Sequence, residues 1–192
     1  MFQIRIHGRG GQGVVTAAEM LALAGFMEGH HAQAFPSFGS ERTGAPVVAF
    51  ARLASSEIRL REPVLEPDVV LVQDKTLLES VDVFKGLRDN GYVLINSSET
   101  PEALGLEDLE KRLPEGHLLC VPATAYALEK IGRPLPGAAM LAGMAAMTGS
   151  MKLESVIAAY NEKFSGRVAQ ANAEVAKLAF DSVKLMLGGA HA

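Results

Sequence analysis

The sequence of 192 residues predicts a three-layer α/β fold: a mainly parallel open sheet with helices on both faces and extra C-terminal helices. Three observations carry this reading. Strand-like and helix-like stretches alternate along most of the chain, which is the pattern of a sheet covered by crossover helices. Asp68–Gln73 (DVVLVQ) and Tyr92–Asn96 (YVLIN) are continuous apolar runs, as expected of strands buried on both faces. A glycine-rich turn joins the first strand to the first helix.

The elements follow in order. Phe2–His7 alternates at period two and reads as a strand. A helix pattern runs from Val14 to about Glu28, and Gly29 is its stop signal. A short strand over His31–Phe35 leads into the glycine-bearing loop Pro36–Pro46. Val47–Arg52 and Ile58–Leu60 are strand-like. Behind the Asp68–Gln73 strand, a helix pattern extends to about Asn90, with Gly91 as its stop. A short helix is expected at about Leu106–Lys111, a strand at His117–Val121 and a helix from Thr124 to Lys130. Ala138–Thr148, Leu153–Phe164 and Val168–Leu187 all read as helices. No linker or internal repeat interrupts the chain, so residues 1–192 are expected to form a single domain.

Composition narrows the function. Apolar residues make up 48% and charged residues 21%, a globular balance that argues against disorder. A net charge of −4 argues against a nucleic-acid binder, which needs a basic surface. A single cysteine, Cys120, cannot form an internal disulfide, a zinc finger or an iron–sulfur cluster. No apolar run is long enough to span a bilayer, and no leader-type apolar segment opens the sequence. The expectation is a cytoplasmic protein without a membrane role.

Gly8-Arg9-Gly10-Gly11-Gln12-Gly13 fits the G-x-G-x-x-G pattern between a strand and a helix. Glycines allow a tight turn and a close backbone approach, and a helix start offers unpaired N–H groups to an anion. Arg9 can add a charged contact. A nicotinamide site would place an acid at the end of the second strand, about 20 residues on. The chain has His30-His31-Ala32-Gln33-Ala34-Phe35 there, so that reading is disfavoured. A phosphate-bearing ligand of another kind and a merely tight turn remain.

The second informative segment is Phe35-Pro36-Ser37-Phe38-Gly39-Ser40-Glu41-Arg42-Thr43-Gly44-Ala45-Pro46. It follows the second strand, so it belongs at the same sheet edge as the glycine loop. Arg42 can pair with a phosphate and Glu41 can orient it; the alternative is a local ion pair on a turn. Asp74 and Asn96 each end a buried strand, where a ligand contact and a helix cap are equally expected. His7 reads as a core histidine, Cys120 as inert core, and Met140, Met144, Met147 and Met151 as core or subunit contact. His30 and His31 make no metal spacing, and no nucleophile–base pair is visible.

Taken together, HGRGGQGVVTAAEMLA, AQAFPSFGSERTGAPVVAFARL, PDVVLVQD and GYVLINSS resemble the gamma subunits of 2-oxoacid:ferredoxin oxidoreductases. The resemblance covers about Phe2–Leu187, and Phe38-Gly39 with Arg42-Thr43-Gly44-Ala45-Pro46 is similar to the pyruvate synthase type. It implies a role in oxidative decarboxylation of a 2-oxoacid to its acyl-coenzyme A. In such complexes thiamine diphosphate sits in alpha and beta subunits and 4Fe–4S clusters in other chains, a ferredoxin-like subunit among them. The gamma chain then helps bind coenzyme A and is not active alone. The resemblance carries coenzyme A contacts to Gly10, Gly11, Gln12, Gly13 and Arg42, with Gly8, Arg9, Ser40, Glu41 and Thr43 as neighbours. One departure stands out. Gly137 in Pro136-Gly137-Ala138-Ala139-Met140-Leu141-Ala142 occupies a place where the family often carries Asn. That leaves open an aromatic 2-oxoacid, such as phenylglyoxylate or indolepyruvate. A scaffold subunit and a free-standing nucleotide-binding protein are the readings from other classes.

Overall fold

Strand β1 (Phe2–Arg9) forms the middle of the sheet, and its alternation decides what each face receives. Ile4 and Ile6 enter the larger apolar cluster, while Arg5 and His7 point to the opposite face. The structure is a computed structural model and describes residues 1–37 and 43–189. Helix α1 (Val14–Met27) follows, then β2 (His31–Pro36) and β3 (Pro46–Ala54). Next come β4 (Val69–Val72), β5 (Tyr92–Asn96), α2 (Glu107–Arg112) and β6 (Leu118–Val121). The chain ends with α3 (Ala123–Lys130), α4 (Gly137–Thr148), α5 (Leu153–Lys163) and α6 (Gly166–Gly189).

The sheet has six strands in the order β2-β3-β1-β4-β5-β6. β1, β4, β5 and β6 pair in parallel, whereas β3 runs antiparallel to both β1 and β2. From β1 the chain moves to one edge through β2 and β3. From β4 it moves to the other edge through β5 and β6. The loops leaving β1 and β4 therefore part from each other, and a crevice opens between them at the carboxyl ends of the strands.

The two faces are covered unequally. On one face α1, α4, α5 and α6 bury Val69, Leu71, Leu94 and Val121 with Ile4 and Ile6. Helix α4 is buried over nearly its whole surface, so its sequence shows no polar side. Its small residues allow this. A Cβ on Gly143 would lie 2.8 Å from Leu94 of β5 and 3.5 Å from Val183 of α6. Met140, Met144, Met147 and Met151 are all buried, which makes them core. The opposite face carries a thinner layer, in which Leu77, Val83, Leu87 and Leu113 cover Val70, Val72, Val93 and Ile95.

That thin layer departs from two expectations. The helix expected up to Asn90 is a short 3₁₀ turn, Lys75–Glu79, followed by further turns. Arg5 is the reason: its guanidinium donates to the carbonyls of Val83 at 2.9 Å and Lys85 at 2.6 Å. A continuous helix would use those carbonyls internally. Gly86 also lies so close to the Leu65 carbonyl that a Cβ would meet the oxygen at 2.0 Å. Residues Ile58–Leu60 are not a strand either. The carbonyls of this segment face side chains, with Gln33 donating to Leu60 and Arg52 to Glu62. β1 runs further than its alternation suggests, because Gly8 and Arg9 still pair with Val47 and Pro46.

His7 is 4% exposed and accepts a hydrogen bond from Arg5 Nε at 3.0 Å. Burial, helped by the Arg5 charge, pushes its imidazole down to about 3. The unfolded chain takes up this proton near the ordinary value of 6.5, while the folded chain stays neutral. Stability from His7 is therefore full above that value and falls as pH drops below it. The loss expected between pH 7 and pH 5 is about 2 kcal/mol. Urea unfolding at both pH values measures it, and His7→Gln should remove about that much of the drop. An equal drop in both proteins would refute the assignment.

Candidate functional site

A cleft of about 630 Å³ occupies the crevice at the carboxyl ends of the parallel strands. Gly10, Gly11 and Gln12 of the loop after β1 form one wall, with Thr43 beside them. Asp74, Lys75 and Thr76, after β4, form the other. Asn96, Ser97 and Thr124 close the end near β5 and α3.

The glycine loop takes its shape from two left-handed residues, Gly11 at φ 94° and Gly13 at φ 73°. Gly13 is the N-cap of α1, and no side chain caps that helix. The N–H groups of Gly10 and Gln12 donate to the carbonyls of Ala45 and Arg9. Among the described residues, those of Gly11 and Gly13 have no acceptor. Gly8 serves packing, since a Cβ there would meet Val14 Cγ2 at 2.5 Å.

Asp74 ties the two walls together. Its carboxylate accepts from Gln12 Nε2 at 2.8 Å and from the Thr76 N–H at 3.0 Å and hydroxyl at 2.6 Å. Arg9 Nε lies 3.4 Å from the same carboxylate. Burial alone would raise this acid, but the bonds from Thr76 and Gln12 and the Arg9 charge outweigh it and hold Asp74 below its ordinary value. Arg9 also donates to Thr76 Oγ1 and to the Gly44 carbonyl at 3.0 Å. It thus braces the site from within rather than standing free for a ligand.

The second loop meets the first where expected. Gly10 forms a β-bridge with Thr43, and Gly44 N–H donates to the Gly10 carbonyl. Ser40, Glu41 and Arg42 lie outside the described residues. Gly13 does not line the cleft. Leu135 lies over it, 3.9 Å from where a Cβ would stand, and Gly13 faces smaller recesses behind.

Of the strand-end residues, Asp74 and Asn96 both act as caps. Asp74 begins the 3₁₀ turn. Asn96 accepts from the Thr124 N–H at 3.0 Å and donates to Thr124 Oγ1 and the Gln73 carbonyl. Cys120 is buried, and desolvation, then nearby acids, pushes its thiol up to about 12, so it is not a thiolate at neutral pH. Sequence reasoning missed Gln73, Thr76 and Leu135. Gln73 left a signal as a polar residue closing an apolar run; Thr76 and Leu135 left none, since tertiary contacts alone bring them in.

The fold is thus an open α/β sheet with a cleft at the carboxyl ends of its parallel strands, the position at which such sheets receive ligands. No cluster of three metal-ligating side chains occurs among the described residues. No helix among them is long and apolar enough to cross a membrane.

Comparison with known proteins carries this class to a family. The sequence profile described as pyruvate ferredoxin/flavodoxin oxidoreductase matches residues 3–182. The common gamma subunit of pyruvate/ketoisovalerate oxidoreductases from Thermococcus kodakarensis is 50% identical, over 94% of this chain and 96% of that one. The pyruvate synthase subunit PorC of Methanothermobacter marburgensis is 44% identical, over 96% and 98%. The crystal structure of the Thermotoga maritima pyruvate oxidoreductase subunit PORC matches with TM-score 0.78 and 36% identity, over 94% and 95%. A 2-oxoglutarate:ferredoxin oxidoreductase from Magnetococcus marinus, determined with 2-oxoglutarate, coenzyme A and succinyl-CoA bound, shares the fold. Its TM-score is 0.71 at 15% identity, over 96% of this chain and 31% of that one. The chain belongs to the pyruvate ferredoxin/flavodoxin oxidoreductase family, as a gamma-type subunit of a 2-oxoacid:ferredoxin oxidoreductase complex.

Asp74→Ala should unfold at lower urea concentration, with a loss of about 2 kcal/mol from the partly buried hydrogen bonds it ends. An unchanged midpoint with an unchanged slope would mean that the two walls hold without it.

Proposed function

We propose that this chain binds coenzyme A for a complex that converts a 2-oxoacid, pyruvate in the first instance, to its acyl-coenzyme A. Alpha and beta subunits hold the thiamine diphosphate that supplies the carbanion chemistry. A ferredoxin-like subunit and other partner chains carry the 4Fe–4S clusters that take the electrons. The observation that carries the reading is the Gly11 N–H at the cleft wall, which has no acceptor among the described residues, in a loop bonded to the base of the second loop. Backbone N–H groups beside a helix start suit phosphate, which coenzyme A presents in quantity.

Two further facts support it. The Magnetococcus marinus enzyme of the same fold holds coenzyme A. The described cleft walls carry backbone N–H, amide and hydroxyl groups, which suit binding a polar ligand. Gly10, Gly11, Gln12 and Thr43 line the cleft and are the proposed contacts, with Arg42, next to Thr43 in sequence, as the ionic one. Gly8, Arg9 and Gly13 support the loop, and Ser40 and Glu41 flank Arg42. Pyruvate is favoured over an aromatic 2-oxoacid because the relatives at 44–50% identity are named for pyruvate.

In the reconstituted complex, Arg42→Ala should raise KM for coenzyme A about tenfold, the worth of one charge-assisted hydrogen bond. KM for the 2-oxoacid should hold. Gly11→Ala, which puts a side chain at φ 94°, should act in the same direction. Unchanged coenzyme A kinetics in both variants would remove the site from this chain, and 2-oxoacid turnover by the isolated chain would overturn the subunit role.

A further inference from the structure

The cleft that receives an anion in the reading above carries an acid on its wall. Asp74 is the one carboxylate, among the described residues, that lines it. A negative charge there opposes a phosphate, so its presence needs a reason. Capping does not supply one. Asp74 starts the 3₁₀ turn by accepting from the Thr76 N–H, and asparagine or serine caps a helix start about as well. What distinguishes a carboxylate is that both of its oxygens accept. Oδ1 takes the Thr76 N–H and hydroxyl, and Oδ2 takes Gln12 Nε2 at 2.8 Å. An asparagine in this place would turn its NH2 group toward one of these donors.

The orientation of Gln12 follows from its partners. Its Oε1 accepts from the Arg9 N–H at 2.7 Å, which leaves Nε2 for Asp74. Its own N–H donates back to the Arg9 carbonyl at 3.1 Å. Arg9 and Gln12 thus close a hydrogen-bonded ring around Gly10 and Gly11, and Asp74 fastens that ring to the opposite wall. Gly11, whose N–H has no acceptor among the described residues, lies within the ring at the cleft. Packing does not hold it, since no atom comes within 4 Å of where its Cβ would stand. Its place is set by hydrogen bonds: those of Gly10 to Ala45 and Gly44 on one side, and those of Gln12 on the other. Arg9 Nε, 3.4 Å from the carboxylate, offsets part of the Asp74 charge.

We propose that Asp74 is a positioning residue for ligand phosphate: through Gln12 it holds the glycine loop where the Gly11 N–H meets the phosphate, and this gain in geometry exceeds the repulsion of its charge. The proposal rests on the coenzyme A reading and deepens it, because it gives the acid on the cleft wall a part in binding. Asp74 acts through the loop, with its own oxygens occupied by donors of the chain.

Charge and positioning predict opposite signs. Asp74→Asn keeps the shape and removes the charge. In the reconstituted complex it should raise KM for coenzyme A about tenfold, with KM for the 2-oxoacid unchanged. A charge that merely lines the cleft would give a lower KM instead. Exchanging the two groups restores the match. In the double variant Gln12→Glu with Asp74→Asn, the new carboxylate at position 12 accepts from the Arg9 N–H and from the new amide at position 74, whose oxygen still accepts from Thr76. KM for coenzyme A should return to within about threefold of wild type, although Gln12→Glu alone, which sets two carboxylates against each other, should raise it. An unchanged or lower KM in Asp74→Asn overturns the proposal, and so does an exchange variant as impaired as either single one. Should Asp74→Asn fail to fold, Gln12→Met, in a half-buried loop position and with the Asp74 charge kept, gives the second test. It should raise KM for coenzyme A by a similar factor, and an unchanged KM refutes the link. If Arg42→Ala and Gly11→Ala leave coenzyme A kinetics unchanged as well, the coenzyme A reading itself has failed. If those two raise KM and Asp74→Asn does not, only the role of Asp74 falls.

Discussion

The carboxylate of Asp74 holds together a junction that the sheet topology would otherwise leave open. At the β1–β4 boundary the chain departs in opposite directions, so no backbone pairing links the two loops beyond the strand ends. Asp74 supplies the link through Gln12, Thr76 and Arg9, and Arg9 extends it to Gly44. The glycine loop, the turn after β4 and the base of the second loop are thereby set at one spacing. A partly buried acid can do this because each oxygen is matched by a donor and a cation stands beside it.

The same logic of matched polar groups shapes the thin face of the sheet. Arg5 and Arg52 are buried, and among the described residues neither makes a salt bridge. Their guanidinium groups instead satisfy backbone carbonyls of irregular segments, at Val64, Val83 and Lys85 for Arg5 and at Glu62 for Arg52. Irregular chain can cross a sheet only if its carbonyls find donors, and a planar fork with five N–H groups suits that task. Arg52 also lies over the Phe35 ring, 5.3 Å from its centroid. The helical face needs none of this, because its helices satisfy their own backbones and present small apolar residues.

Within the family, this chain is a gamma-type subunit whose cleft is walled on one side by the glycine loop. Its donors are backbone N–H groups on a bonded loop, and its one cysteine is buried with a suppressed thiolate. Leu135 narrows the site by covering Gly13, so the cleft reaches the loop at Gly10–Gln12 and leaves the start of α1 behind a side chain. The glycine motif therefore faces the cleft through part of its length.

Much of the architecture was legible in residue order. The apolar runs at Asp68–Gln73 and Tyr92–Asn96 read as buried strands, and Gly8–Gly13 between a strand and a helix read as a tight turn. Those features follow from local periodicity and from glycine's freedom at positive φ, which neighbours in sequence suffice to reveal. Other features depended on partners far along the chain. The stretch after β4 carries a helical pattern yet folds as turns, because Arg5 from another strand takes its carbonyls. Arg9 reads as a ligand group yet is used by Asp74 and Thr76. Gln73 becomes notable only when β4 and its neighbours bring it to the cleft. Periodicity records what a residue prefers near itself; which polar group meets which across the fold is settled only when the chain closes on itself.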